Sequence, residues 1–398
     1  MDGKTDFLEL WDRHLARAEV PRMFRLWSGA VCLSAAMRRR CWFNDGMSII
    51  TPQVHVLMIS SPRVDGRTEA ISIVRRSLRG IGGVVLAPDG ISSTRLLRIL
   101  SRKRRRRRTR RGGFETADKD MPEINAMTVV TPSFHNLRKP AFMDAVSDFW
   151  DGLNDWGDVD RRMTAPFMSI LAGSTVQWIR ENVMRKELTG RFFARTVMVR
   201  EDRRPKAEAP AMKSEEEWRR TTEERREIDR HLTAIAGWNG MFKIGKDAIE
   251  WLDKWSASHR RKAIPEGDDY AVAMHGVMRI HLLKLAMICA ASRGDDMTIM
   301  QDDLERARMI FAESKKSMQA AARIITGPAR TNLAATIVSM LEESGGSMPS
   351  AEIAKRLLRC GHEMWQIDKA INGMMSGAIR VIRVEIDVEK KEEIVRLL

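Results

Sequence analysis

The sequence predicts an α/β protein with a parallel sheet, followed by an all-helical stretch and a small C-terminal unit of three helices and a hairpin. Three observations carry this prediction. Apolar runs of strand length alternate with helical periodicities between residues 53 and 201. Residues 229–320 show helical spacing throughout. IRVEIDV then alternates from Ile382 to Val388 after three amphipathic segments.

Residues 1–50 read as an N-terminal helical segment. DFLELWDRHLARA gathers Phe7, Leu8, Leu10, Trp11 and Leu15 on one broad face, and Pro21 opens a second helix. Residues 51–200 form the core. VHVLMI is an apolar strand, with a helix from about Thr68. Val84–Leu86 is a short strand, with a helix from about Ser93. AMTVVTP, PFMSILAGST and RFFARTVMVRED are three further strands, separated by the helical FMDAVSDFWDGL and VQWIRENVM. Residues 101–113 interrupt this order as an exposed basic loop, and 201–228 are a charged linker or solvated helix. Residues 229–326 make a helical domain. Residues 329–398 follow the winged-helix order, with Ser350 as an N-cap and Gly361 as a stop.

Composition narrows the class. At 398 residues with 43% hydrophobic content, the chain has room for two or three domains with cores of their own. No apolar run reaches the roughly 18–20 residues that span a bilayer, and the acidic, amphipathic N-terminus lacks a signal-peptide core. A cytoplasmic protein without a membrane partner is expected. Cys32, Cys41, Cys289 and Cys360 are too scattered for a zinc site and read as reduced thiols.

ISSPRVDGRTEAI, between the first core strand and its helix, has the outline of a phosphate-binding loop. Gly66 and Thr68 fit the glycine and the metal-holding hydroxyl, and Arg67 keeps the positive charge of the usual lysine. Ser61 stands where the first glycine belongs, and Asp65 places a carboxylate near phosphate. Taken alone, the stretch reads as an ordinary strand-turn-helix, since a half-matched motif is weak. The later strand end that should carry a hydrolytic acid reads Thr131, Ser133, His135, without a carboxylate. On strand geometry Ser133 and His135 are not read as a nucleophile and its base. Arg195 begins a strand, as a finger toward a neighbouring subunit's phosphate or as a sheet-edge arginine.

The net charge is +15, and SRKRRRRRTRR supplies nine of those cations: Arg102, Lys103, Arg104, Arg105, Arg106, Arg107, Arg108, Arg110 and Arg111. Such a run binds phosphates through counter-ion release, and a localisation signal uses the same chemistry. In the C-terminal unit, Lys369 is the third helix's only cation, while Arg380 and Arg383 near the wing suit phosphate contacts; such modules also bind protein. Trp150, Trp156, Trp178, Trp238, Trp251 and Trp255 read as core, and His281 with Lys284 as a helix-face pair.

Read together, FRLWSGAVCLSAAMRRRCWF, VHVLMISSPRVDGRTEAI, VVLAPDGISSTRLLRIL, TVVTPSFHNLRKPAFMDAVSDFWDG, PFMSILAGSTVQWIRENV, GRFFARTVMVRED and MRIHLLKLAMICAAS resemble a family of phage and prophage RecA-like P-loop ATPases. That family is of unknown function, primase-associated and described as helicase-like. The resemblance covers roughly residues 20–320. It implies a RecA-like P-loop core and ATP with Mg2+ as cofactors. It further implies DNA, single-stranded or at a replication fork, as partner, and a homo-oligomer working beside a primase or other replication protein. Ser61, Asp65, Gly66, Arg67 and Thr68 would then form the phosphate loop, with Thr68 toward the metal. Arg195 matches the strand arginine, and Ser133 takes the place of the family's acid. Loss of both that acid and the lysine implies degenerate Walker motifs and weak or no hydrolysis. The alternative is a non-enzymatic DNA-binding scaffold or loader that keeps the fold for assembly.

Overall fold

The computed structural model describes residues 5–61, 66–101, 125–152, 155–157, 163–201, 214–261, 269–326, 333–359, 364–376, 381–387 and 392–398. Asp65, the basic tract from Arg102 to Arg111, and Arg380 lie outside them. The chain divides into two units, Met1–Ile325 and Thr326–Leu398.

The first unit opens with α1 (Phe7–Ala16), capped by the Asp6 side chain, and α2 (Arg22–Met37), which follows Pro21. Phe7, Leu10, Trp11 and Leu15 are buried as their spacing predicts. The two helices cross closely because Gly29 of α2 has no side chain. A Cβ there would stand 2.8 Å from Trp11 Cδ1 and 3.0 Å from Leu8 Cδ2. Gly29→Val should therefore lower stability by about 1–3 kcal/mol through overpacking, read as a shifted midpoint in urea unfolding.

After α2, Cys41–Asn44 forms a short strand where helix was expected, paired to Ile49–Ile50 and to Gly240–Met241. The central sheet follows. Its first strand, β1 (His55–Ser60), is buried along its whole length, as expected for a strand covered on both faces. Then come α3 (Arg67–Arg79), α4 (Ser93–Leu100), β2 (Ala126–Thr131) and α5 (Pro140–Trp150), which starts with proline in its first turn. The 9-residue β3 (Phe167–Thr175) runs into α6 (Val176–Asn182), where the Thr175 side chain caps Trp178 N at 3.1 Å. RFFA, expected to be strand, is a helical turn at Arg191–Ala194, and β4 spans only Thr196–Glu201.

All four strands are parallel, in the order β2-β3-β1-β4. The expected strand at Val84–Leu86 is reduced to a single parallel bridge, Leu86 to Thr128, on the outer side of β2. The chain thus leaves β1 for the far edge, returns through β2 and β3, and crosses to β4 on β1's other side.

Helices cover this sheet. α7 (Glu215–Ala236) begins with a reciprocal Ser214–Glu217 capping box, so the charged segment is a solvated helix from that point. α8 (Lys246–Arg260), α9 (Asp269–Arg293) and α10 (Gln301–Thr326) complete the unit. By length and composition, Tyr270–Arg293 could cross a bilayer, contrary to the expectation that no run reaches that length. Its residues 281–292 are buried in the core of this unit.

The second unit contains α11 (Leu333–Glu343), β5 (Ser347–Pro349), α12 (Ser350–Arg359), α13 (Met364–Ser376), β6 (Ile382–Asp387) and β7 (Glu392–Leu397). β7 lies between β5 and β6, antiparallel to both. Ile337, Leu341, Ile353, Leu357, Ile367 and Val395 fill its own core. β5 was not anticipated: three residues ending in proline are too short to show alternation.

Candidate functional site

The carboxyl ends of β1, β3 and β4 converge, with Ser60 opposite Thr175 on one side and Glu201 on the other. Because the connection out of β1 runs toward the β2 edge while the one out of β3 runs the other way to β4, this edge is a topological switch point, where α/β sheets place ligands. Ser61, which follows β1, and Gly66, which precedes α3, lie here.

Gly66 caps α3 with φ of +100°, in the left-handed region that favours glycine. A Cβ would also meet Pro21 Cδ at 2.6 Å and Glu19 O at 3.1 Å, so the α1–α2 corner packs directly on the turn. Arg67 is the first helical residue. Its stem lies over Gly173 of β3, where a Cβ would come within 3.1 Å of Arg67 Cδ and 2.9 Å of Pro132 O. Its Nη1 donates to the Ser174 carbonyl, and burial pulls the guanidinium below the usual arginine range. Arg67 Nε is buried without a partner among the described residues. Thr68 is exposed in the first turn.

At the end of β2, Thr131 Oγ1 accepts from Ser133 N at 3.2 Å, and Ser133 Oγ meets His135 Nδ1 in a hydrogen bond. This corrects the strand-based reading that kept the two apart. The strand stops at Thr131, and Phe134–Leu137 is a 3-10 turn that folds His135 back toward Ser133 and onto Trp178, at 6.4 Å between ring centroids. No carboxylate completes the pair among the described residues.

The described residues fit a phosphate contact better than metal-dependent turnover. They offer hydroxyls, Thr68 exposed in the first turn of α3 among them, and in Arg67 a cation that is already bonded to a backbone carbonyl. No acid stands at the end of β2. No reaction step through ATP or Mg2+ follows from them.

Arg195 stands at the opposite, amino-terminal edge, just before Thr196, which pairs with His55. The length of β1, about 20 Å at 3.3 Å per residue, separates it from the phosphate turn. Arg195 Nε and Nη2 donate to the two Asp151 oxygens at 2.7 and 2.8 Å, and the guanidinium lies 5.5 Å from the Trp150 ring centroid. This bidentate pair holds the guanidinium within its own chain.

Around it lies a buried cationic cluster. Lys284 Nζ donates to Thr51 O at 2.8 Å and Trp150 O at 2.9 Å, 4.3 Å from the Trp150 ring. Burial drives its pKa well below the usual lysine value, although Asp151 opposes this. His55 Nε2 bonds Met168 O at 3.0 Å, and His281 Nε2 bonds Ala194 O at 2.9 Å. Burial first, and then the Lys284 charge, bring these imidazoles down to about 3 and about 4. His281 and Lys284 are therefore core residues rather than a helix-face pair. Beside Asp151 a concavity of about 420 Å³, lined by Asn44, Met47, Ser48 and Gly152, lies at this edge and not beside Gly66.

In the second unit Lys369 is exposed on α13, and Arg383 Nε pairs with Glu385 Oε1 at 3.0 Å. Residues 326–398 contain ten Lys or Arg and ten Asp or Glu, so the chain's excess charge lies outside this unit.

No family model and no curated protein matches this sequence. Among solved structures, the chain is similar to a full-length MCM homologue from Methanopyrus kandleri. Identity is 14% and the TM-score 0.43, over 79% of this chain and 59% of that one. A likeness at that level carries no argument about function, and the chain spans less than two thirds of that structure's length.

Proposed function

We propose that the chain is a DNA-binding protein of the phage or prophage replication type. In this reading it is built on a RecA-like P-loop core and a C-terminal winged helix, assembles with copies of itself, and works beside a primase or other replication protein. The strand order, with the phosphate turn following a central strand at a switch point, supports the core assignment. The helix, strand, helix, helix, strand, strand order of the second unit supports the winged helix. The basic tract contacts the DNA backbone.

The observation that carries the rest is the Arg67 bond to the Ser174 carbonyl. It ties down the loop's cation beside a β2 end that lacks an acid. The nucleotide site is accordingly degenerate, and ATP is turned over slowly or not at all. ATP hydrolysis should be measured with and without single-stranded DNA for the wild type and for Arg67→Lys/Ser133→Glu. The wild type is expected near background, and the double variant at least tenfold above it. Rapid wild-type turnover would overturn the degenerate reading, and an unchanged double variant would remove the proposed placement of the acid. A scaffold or loader that uses the fold only for assembly is favoured if nucleotide neither binds nor affects DNA affinity.

A further inference from the structure

The exposed face of α10 carries a row of cations that the sequence analysis did not single out. Arg308, Lys315, Lys316 and Arg323 are all exposed. They fall within about 100° of one another around the helix axis and span about 22 Å along it. The opposite side of the helix is fixed to the core. Ser314 Oγ accepts from Trp27 Nε1 at 2.9 Å, and Ser317 Oγ accepts from Arg200 N at 2.8 Å at the end of β4. The stripe is therefore held outward in one orientation.

A charged helix face is ordinarily solvated and mixes its signs, and elsewhere this protein does so. On α7, Arg219 pairs with Glu215 and Arg220 with Glu216; on α8, Lys254 pairs with Glu250. On α10 no ion pair engages the four cations among the described residues. Glu305, the one carboxylate on that face, stands beyond the N-terminal end of the row and accepts from Gln301 Nε2 at 2.8 Å. Glu313, off the row, is taken by Arg22. A single-signed row of this length matches a phosphate backbone, which presents a charge every ~3.4 Å along one strand.

We propose that this face of α10 is a nucleic-acid backbone track, a second and ordered contact in addition to the basic tract. The inference rests on the DNA-binding reading above. Four contacts correspond to a change of about 3 in the slope of log K against log salt, at roughly 0.7 per phosphate for single strands.

The test is fluorescence anisotropy of a labelled oligothymidylate over a potassium chloride series. It compares the full chain with Arg308→Ser/Lys315→Ser/Lys316→Ser/Arg323→Ser. A second variant, Arg219→Ser/Arg220→Ser/Arg225→Ser/Arg226→Ser, removes the same charge from α7. The α10 variant should lose about 10²–10³ in affinity at 0.1 M salt and flatten the slope by about 3, with the α7 variant close to wild type. Binding and slope unchanged in the α10 variant would overturn the track. So would equal losses in both variants, since the effect would then be net charge alone. A wild-type chain that binds no nucleic acid would instead remove the underlying DNA reading. Unfolding midpoints check that all three proteins fold, since substitutions at exposed positions should leave them close to wild type.

Discussion

Lowering the pH from 7 to 4 is expected to remove about 6 kcal/mol from the stability of the first unit, through two histidines. His55 and His281 are buried and neutral, each with Nε2 donating to a backbone carbonyl. Burial, with Lys284 beside them, brings their folded values to about 3 and about 4, well below the ordinary histidine value of about 6.5 in the unfolded chain. As the pH falls below 6.5 the unfolded chain takes up both protons and the folded chain neither. Stability is full above 6.5 and falls continuously until the pH nears the folded values. Each histidine contributes a slope of about 1.4 kcal/mol per pH unit. The sum approaches the ~5–15 kcal/mol that stabilises a typical domain.

The charged groups around them do not reverse the sign. Lys284 and Arg195 face both rings and disfavour a further positive charge, and Asp151 is already committed to Arg195 and Arg191. Urea unfolding between pH 7 and 5, above the range where most carboxylates titrate, isolates the effect. A slope near 2.7 kcal/mol per pH unit is expected below pH 6. His281→Gln keeps a donor toward Ala194 O and should halve that slope. A flat profile in the wild type, or a slope unaffected by His281→Gln, would contradict this account.

How much of this was legible in the sequence depends on whether the signal was local. The five core strands and the helices between them follow from periodicity, and only the weakest, Val84–Leu86, shrinks to a bridge. RFFA misled because two phenylalanines read as strand, whereas they close a helical turn with Phe192 and Phe193 buried. That Gly66 sits in the left-handed region at the start of α3 fits a local backbone need for glycine that the sequence exposes. The state of Arg67 was not legible, because its acceptor, the Ser174 carbonyl, lies 107 residues away. Arg195 was read as beginning a strand and stands one residue before β4, but its partner Asp151 lies 44 residues away, where no local pattern shows it. The amino-edge cluster draws Thr51, His55, Trp150, Arg195, His281 and Lys284 from four separate segments. No spacing within one segment reveals such a site. Only the exclusion of charge from a buried helix, broken by Lys284 in LLKLAMI, could have pointed to it.

Within that cluster the largest single-residue effect is expected at Asp151. Its two oxygens hold the Arg195 guanidinium, whose side chain is 12% exposed, and it also accepts from Arg191 Nη2 at 2.9 Å. Its negative charge is the one that opposes the lowered pKa of Lys284. Asp151→Ala would leave Arg195 largely enclosed, against Trp150 and near Lys284, without its counter-charge. Breaking a buried pair by removing one partner costs about 3–5 kcal/mol, and Asp151, at 28% exposure, belongs at the lower end of that range. The Arg191 contact adds little, because its side chain is 51% exposed. Arg195→Met removes the buried charge along with its partner, so the Asp151→Ala/Arg195→Met double variant should be more stable than Asp151→Ala alone. Glu216→Ala, which breaks an exposed i,i+4 pair on α7, should cost less than about 0.5 kcal/mol and serves as the comparison. Equal losses at Asp151 and Glu216 in urea unfolding would show that water reaches the amino edge freely. In that case Arg195 would also be available to a partner, and its role as a finger toward another subunit would return.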